Sequence, residues 1–442
     1  MDASGLPLPA DSLNYGGPSL AGASAGALSS RFICQRLDTN LGDGSTCVFC
    51  FPSNGGWLEL SSLLIRADIA IQKDHKDMNK NSNDNIFLAP GGHTALFEKC
   101  TVTLGETVCS VEPDFAMHAA LMEKLSSSSD QRKNQLEKLS ASSVNVGPQS
   151  SKVKHAAPIN NFKPLVNAAK GSTVQTVWFR LGSSFTRTLR QLVPEGLPVS
   201  IALTRGSDAS VLAIPDAGAN DHYNLNIHSL TAYVRAHRFN EETKTRIMAA
   251  MGPLPELRFR RTDVILRSVP SGSLNVTFSN LLHNQAQPDS LLVALVSQES
   301  LYGNVETLPG FFETANLTSV EVTSAGRSVS VVPLDGLSFD YDNNGKVNGG
   351  SSSFQNAYLQ LCVAGGFLER GCPIDHGDFV LGNCIFYFSL PTSHSGGQTF
   401  DPLDLRLSFA QTTENPFTLV IWAIRNAALQ FDPSARTISL VS

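Results

Sequence analysis

Charge is scarce in this chain. Asp, Glu, Lys and Arg make up 16% of its 442 residues, against about 25% in an ordinary soluble domain. A surface so poor in charge suits contact with other protein better than existence as a free monomer. Long apolar runs are missing as well: none approaches the ~18–20 residues of a membrane-spanning helix. There is no basic surplus. The net charge is −6, and a protein that coats nucleic acid needs a net positive footprint. The 8 cysteines are too dilute for a disulfide-stapled secreted scaffold, which is short and Cys-dense. Residues 1–30 hold no Lys or Arg, and Gly and Ser interrupt every apolar run, so no secretory signal is read there. The expectation is an intracellular product with reduced thiols, in which the sequons at Asn275 and Asn316 are chance matches.

Catalytic motifs are absent too. The string Asp340, Asp342, Asn344, Gly345 begins like a calcium loop, but its twelfth position is Ser351, where a bidentate Glu is required. Turn-forming Asp, Asn and Gly produce such a string readily. Cys47 and Cys50 form a lone C-x-x-C. A zinc site would need Cys34, Cys100, Cys109 or His93 to be brought in by folding, and no second pair has finger spacing. His93, His118, His155 and His376 lie near Ser or Asp without a nucleophile elbow. Lys152, Lys154, His155, Lys163 and Lys170 make one long segment locally basic, a pattern that a solvated loop explains and that a nucleic-acid or acidic contact would also fit. The expectation is no catalytic, cofactor-binding or metal-binding residue, and no enzyme.

What is present is period-two alternation, twice over. The 42% hydrophobic content can fill two cores of about 200 residues each. Residues 1–38 are aperiodic in Gly, Ala, Ser, Pro and Leu and read as a flexible arm. Leu63, Ile65, Ala67, Ile69 and Ile71 alternate with Arg66, Asp68 and Gln72, the mark of a half-buried strand. Strands follow at 95–104, 173–181, 199–204 and 223–235. Phe115, Ala119, Met122 and Leu125 share one helical face, which predicts a helix at 113–126 packed on a sheet. The polar segment 127–172 is too long for a simple connector. A short helix at 240–251 with Asn240 as N-cap, closed by Gly252, Pro253 and Pro255, marks the domain boundary. A second series follows at 257–269, 273–279, 291–296, 317–323, 328–332, 384–390, 405–410 and 418–424. The chain therefore divides into an arm (1–38), a first sandwich (39–240), a helical linker (241–256) and a second sandwich (257–442). The fold class is all-β, with antiparallel strands.

The ordered strings WLELSSLLIRADIAIQ, IFLAPGGHTALFEKCTVTLGETVCS and FAMHAALMEKLSSS resemble a block of the major capsid proteins of the Polinton and adintovirus lineage. VTFSNLLHNQAQPDSLLVALVSQESLYGN, FDYDNNGKVNGGSSSFQNAYLQLCVAGG, HGDFVLGNCIFYFSL and LRLSFAQTTENPFTLVIWAI continue the likeness, in the same order, over about residues 57–432. The resemblance implies a double jelly-roll of two eight-stranded sandwiches. It also implies homotrimers with a pseudo-hexagonal outline that tile an icosahedral shell around double-stranded DNA, with penton or minor capsid proteins as partners and a virion location. A carbohydrate- or receptor-binding jelly-roll of the spike or lectin type is the competing reading, and it leaves the duplicated architecture unexplained.

Overall fold

Strands form wherever the two-residue alternation lets one face be buried. The computed structural model describes residues 29–38, 41–52, 54, 56–73, 76–77, 87–88, 96–126, 174–213, 223–251, 254–282, 287–302, 310–339, 354–369, 371–380, 382–390, 402–433, 435 and 437–441. The segment 127–172, the Asp340–Ser351 string, His93 and His155 lie outside these.

The first half comprises β1 (Ser29–Asp38), β2 (Thr46–Phe51), β3 (Trp57–Lys73), the two-residue β4 (Lys76–Asp77) and β5 (Phe87–Leu88), β6 (Phe97–Leu104) and β7 (Thr107–Glu112). Helix α1 (Phe115–Ser126) follows, then β8 (Gln175–Arg180), α2 (Ser184–Thr188), β9 (Val199–Arg205), the short β10 (Leu212–Ala213) and β11 (Tyr223–Arg238). Helix α3 (Glu241–Met251) leads to the second half: β12 (Glu256–Val269), β13 (Asn275–Phe278), β14 (Ser290–Ser297), α4 (Gln298–Tyr302), β15 (Leu317–Ser324), β16 (Arg327–Ser328), α5 (Gln355–Ala364), α6 (His376–Phe379), β17 (Phe386–Ser389), β18 (Leu403–Phe409), β19 (Phe417–Asp432) and β20 (Thr437–Val441).

The two halves have one strand order. In the first, one sheet runs β1-β11-β3, with β8 on the far side of β3, and the other runs β2-β9-β6-β7. In the second, the sheets run β12-β19-β14-β17 and β13-β18-β15-β16. If the eight principal strands of each half are counted from its start, both halves read first-eighth-third-sixth facing second-seventh-fourth-fifth. All these pairings are antiparallel.

Two expectations are corrected. Residues 29–38 are not part of a flexible arm. They form β1, paired residue by residue with β11 from Ser29↔Arg238 to Asp38↔Ser229. Composition hides this strand because it lies at a sheet edge, where most of its residues are exposed and only Ile33, Gln35 and Leu37 are half-buried. The strand expected at 328–332 stops at Ser328. The Val329 N–H still donates to the Val322 carbonyl of β15 at 3.0 Å; beyond it, those of Val331 and Val332 donate to Gln360 Oε1 of α5 at 2.9 and 3.3 Å, and Gln360 Nε2 donates to the Tyr387 carbonyl at 2.7 Å. One buried amide thus satisfies the two N–H groups that the strand ladder leaves over.

The cores interlock. Leu257 and Phe259 of β12, Leu429 and Phe431 of β19 and Ile438 of β20 belong to the first core. Met117, Leu121, Met122 and Leu125 of α1 belong to the second, while Phe115 and Ala119 stay in the first. Helix α1 is therefore a wedge buried almost all round, beyond the one-faced helix that its spacing suggests. It fits because Gly182 has no side chain: a Cβ there would lie 2.5 Å from that of Ala119. Phe185 meets Phe259 edge-on at 4.7 Å. Thr188 Oγ1 accepts the Arg260 N–H at 2.7 Å, and Thr107 Oγ1 donates to the Ile438 carbonyl at 2.6 Å. Helix α3 starts as its sequence predicts, with Asn240 Oδ1 accepting the Thr243 N–H at 2.7 Å.

Candidate assembly surfaces

Among the described residues, those singled out for chemistry do not converge. Cys47 points into the core and Cys50 outward, because residues three apart on a strand face opposite sides. Burial pushes the Cys47 thiol up to about 11, far from the thiolate that a metal requires. Cys34 is exposed on β1, while Cys100 and Cys109 are buried. Among the described residues no three His, Cys, Asp or Glu side chains are grouped to hold a metal ion. His118 is buried in α1 with neither ring nitrogen bonded to protein. Burial, helped by nearby Arg187, drops it to about 3, so it stays neutral. His376 stacks on Phe354 at 4.6 Å and meets Tyr358 edge-on at 5.1 Å. Asn275 and Asn316 are exposed.

One Ser–His–Glu chain exists that sequence reasoning missed. Ser30 Oγ lies 2.8 Å from His237 Nδ1, and His237 Nε2 lies 3.0 Å from Glu59 Oε2. These side chains come from three adjacent strands, and Glu59 is shared with Arg235 at 3.4 Å. Each contact joins one strand to the next, which describes a cross-strand polar ladder that ties edge strand β1 to β11 and β3.

A buried carboxylate lies within the first half. Glu112 Oε1 accepts from Ser184 N (2.9 Å), Ser184 Oγ (2.7 Å), Ser183 Oγ (3.1 Å) and Ser110 Oγ (3.2 Å). Burial raises its carboxyl above the usual range, and these bonds offset the rise only in part. A cavity of about 440 Å³ lies under α3, lined in part by Trp57, Glu195, Lys244 and Phe431. Its lysine is already held by Glu195 at 2.8 Å and Glu241 at 2.9 Å.

The sheet faces that meet solvent differ sharply. On β2-β9-β6-β7, register aligns Val48, Ala202, Thr101 and Val111 in one outward row and Cys50, Ser200, Thr103 and Val108 in the next. A third row holds Thr46, Thr204 and Lys99. Lys99 is the one charge among these positions. Val48, Val108 and Val111 are 42%, 53% and 51% exposed. The equivalent sheet of the second half presents Thr277, Arg406 and Glu321 in one row, with Asp404 beside Thr323 in another. There Arg406 and Glu321 pair at 3.7 Å. The signal for the neutral face lies in TCVFCF and VSIALTR, whose alternate positions are small or uncharged.

The chain is similar to a chain in the cryo-EM structure of the Sputnik virophage, at 11% identity and a TM-score of 0.57 over 94% of this chain and 89% of that one. It is similar to the Faustovirus major capsid protein at 10% identity and 0.55, over 94% and 91%. It is also similar to a chain of the PBCV-1 virus capsid at 13% and 0.54, over 94% and 97%. The fold is the double jelly-roll. At these identities the likeness is one of fold. No family model and no curated protein matches the sequence. Among the described residues no helix is long and apolar enough to cross a membrane.

What a double jelly-roll with these surfaces can do is associate. Its strands are paired within two-sheet sandwiches, and its uncharged face is exposed.

Proposed function

We propose that this chain is a viral or virus-derived major capsid protein. It self-assembles as pseudo-hexagonal homotrimers into an icosahedral shell around double-stranded DNA, without enzymatic activity and without sequence-specific contact to the nucleic acid. The observation that carries this reading is the duplication of one strand order in both halves. Three chains of two like sandwiches make a six-sided tile, which is the unit a curved hexagonal lattice needs. The fold match over 94% of the chain to the Faustovirus major capsid protein supports it. The ordered strings named above favour the Polinton and adintovirus lineage within that fold. Location in the virion and contact with a penton or minor capsid protein belong to the same reading.

Light scattering on the purified protein tests it. The expected soluble unit is three times 47.4 kDa, or 142.2 kDa, growing into shells as salt and pH are varied. A monodisperse monomer that forms nothing larger under any condition would overturn the reading.

A further inference from the structure

The outward face of β2-β9-β6-β7 has features that an isolated sandwich does not need. Val108 and Val111 are three residues apart, so on a regular strand they would face opposite sides. A bulge in β7 brings both outward: Thr103 pairs with Val108 and Val102 with Ser110, leaving Cys109 as the extra residue. Bulges re-aim side chains at some cost to the ladder. Here the result is two half-exposed valines on the surface, and Cys109 and Ser110 both buried.

We propose that this face is buried against the same face of a second copy of this chain in the assembled particle. The inference rests on the capsid reading above and names the surface that reading leaves open. Charge decides the occupant. An identical copy meeting this face brings no like charge to its centre, whereas the Arg406–Glu321–Asp404 face of the other sandwich would set its own charges against each other. Nucleic acid has nothing to hold there, with Lys99 alone at one corner. Four strands at about 4.8 Å and three outward rows at about 6.8 Å give roughly 14 by 14 Å between Cα positions. That is roughly 200 Å², about a quarter of the ~800 Å² each partner contributes to a standard interface, so this patch forms the centre of the contact and not the whole of it.

Cys50, exposed on edge strand β2 in the row next to that of Ala202, reports on the contact without any mutation. Dispersed and assembled wild-type protein are labelled with N-ethylmaleimide, and modification at Cys50 is followed by peptide mass spectrometry. We expect labelling in the assembled form to be at least tenfold slower. In parallel, Ala202→Asp places a charge at the centre of the face, and Thr277→Asp places one on the polar sheet beside Arg406. The first should raise the protein concentration needed for assembly at least tenfold with an unchanged circular dichroism spectrum. The second should assemble like wild type. Equal Cys50 labelling in both forms would overturn the proposal, as would normal assembly of Ala202→Asp. Protection of Cys50 already in the dispersed trimer would overturn it in favour of cover by the chain's own residues or by a contact within the trimer. Failure of the wild type to assemble at all would remove the capsid reading and this inference together. Normal shells with a freely labelled Cys50 would remove the inference alone.

Discussion

In the first sandwich β3 carries Arg66 and Asp68 toward solvent between the buried Ile65, Ala67 and Ile69. In the second, all eight residues of β14 are buried, and so are the first eight of β19. The strand order is the same, so the difference lies outside the sheets. Beyond β3 and β8 there is water, where Arg66 lies 5.9 Å from the ring of Trp178. Beyond β14 and β19 there is more protein: Phe312 meets Trp422 edge-on at 5.6 Å, and Lys124 of α1 sits 4.8 Å over Phe312. Strands buried on both faces read as continuous apolar runs, and those buried on one face alternate. SLLVALVS and RADIAIQ thus report two environments of a single topology.

The comparison can be broken most severely at Trp422. Trp422→Ala should cost about 3–5 kcal/mol of unfolding free energy, whereas Trp178→Ala, at the related but half-exposed surface of the first sandwich, should cost far less. Urea denaturation of both variants measures the difference, and equal losses would deny that the second sheet is doubly buried. Next comes the wedge. Leu121→Ala removes a first-half side chain from the second core and should cost about 2–5 kcal/mol. If the cores are coupled through α1, calorimetry should show its single transition splitting into two. Gly182→Ala presses a methyl on Ala119 and should cost about 1–3 kcal/mol, detectable as a lower Tm.

The first half also has a pH signature. Burial raises the Glu112 carboxyl in the folded protein. A raised carboxyl contributes stability in full below its unfolded pKa, and that contribution is lost as pH rises through the folded value. Wild type should therefore lose stability relative to Glu112→Gln as pH increases from about 4 toward neutrality. Parallel denaturation curves at each pH check the sign. The smallest effect is expected at the exposed Arg406–Glu321 pair, where Arg406→Ala should change stability by less than about 1 kcal/mol.

Much of this architecture can be read from the residues. The alternation of Leu63 to Ile71, the Asn240 cap and the apolar runs at 291–296 and 418–424 each predict an element where one occurs, because each is set by local periodicity or by a cap within three residues. What stayed hidden depends on partners distant in sequence. β1 is defined by β11, some 200 residues on. Strand β16 ends early because Gln360, some thirty residues on, accepts the N–H groups of Val331 and Val332. The wedge role of α1 needs a second core, and one-half of its apolar face looks complete without it. The neutral outward face was present in TCVFCF and VSIALTR, but outward positions acquire meaning only when register sets them side by side.

The exchange of segments between cores has a consequence for synthesis. The first sandwich waits for Leu257, Phe259, Leu429, Phe431 and Ile438, and the last of these leaves the ribosome some 200 residues after β11. Until then its apolar seam is open and prone to aggregation. The interlock thus acts as a completion check: a chain truncated before Ile438 lacks part of the wall of its first core.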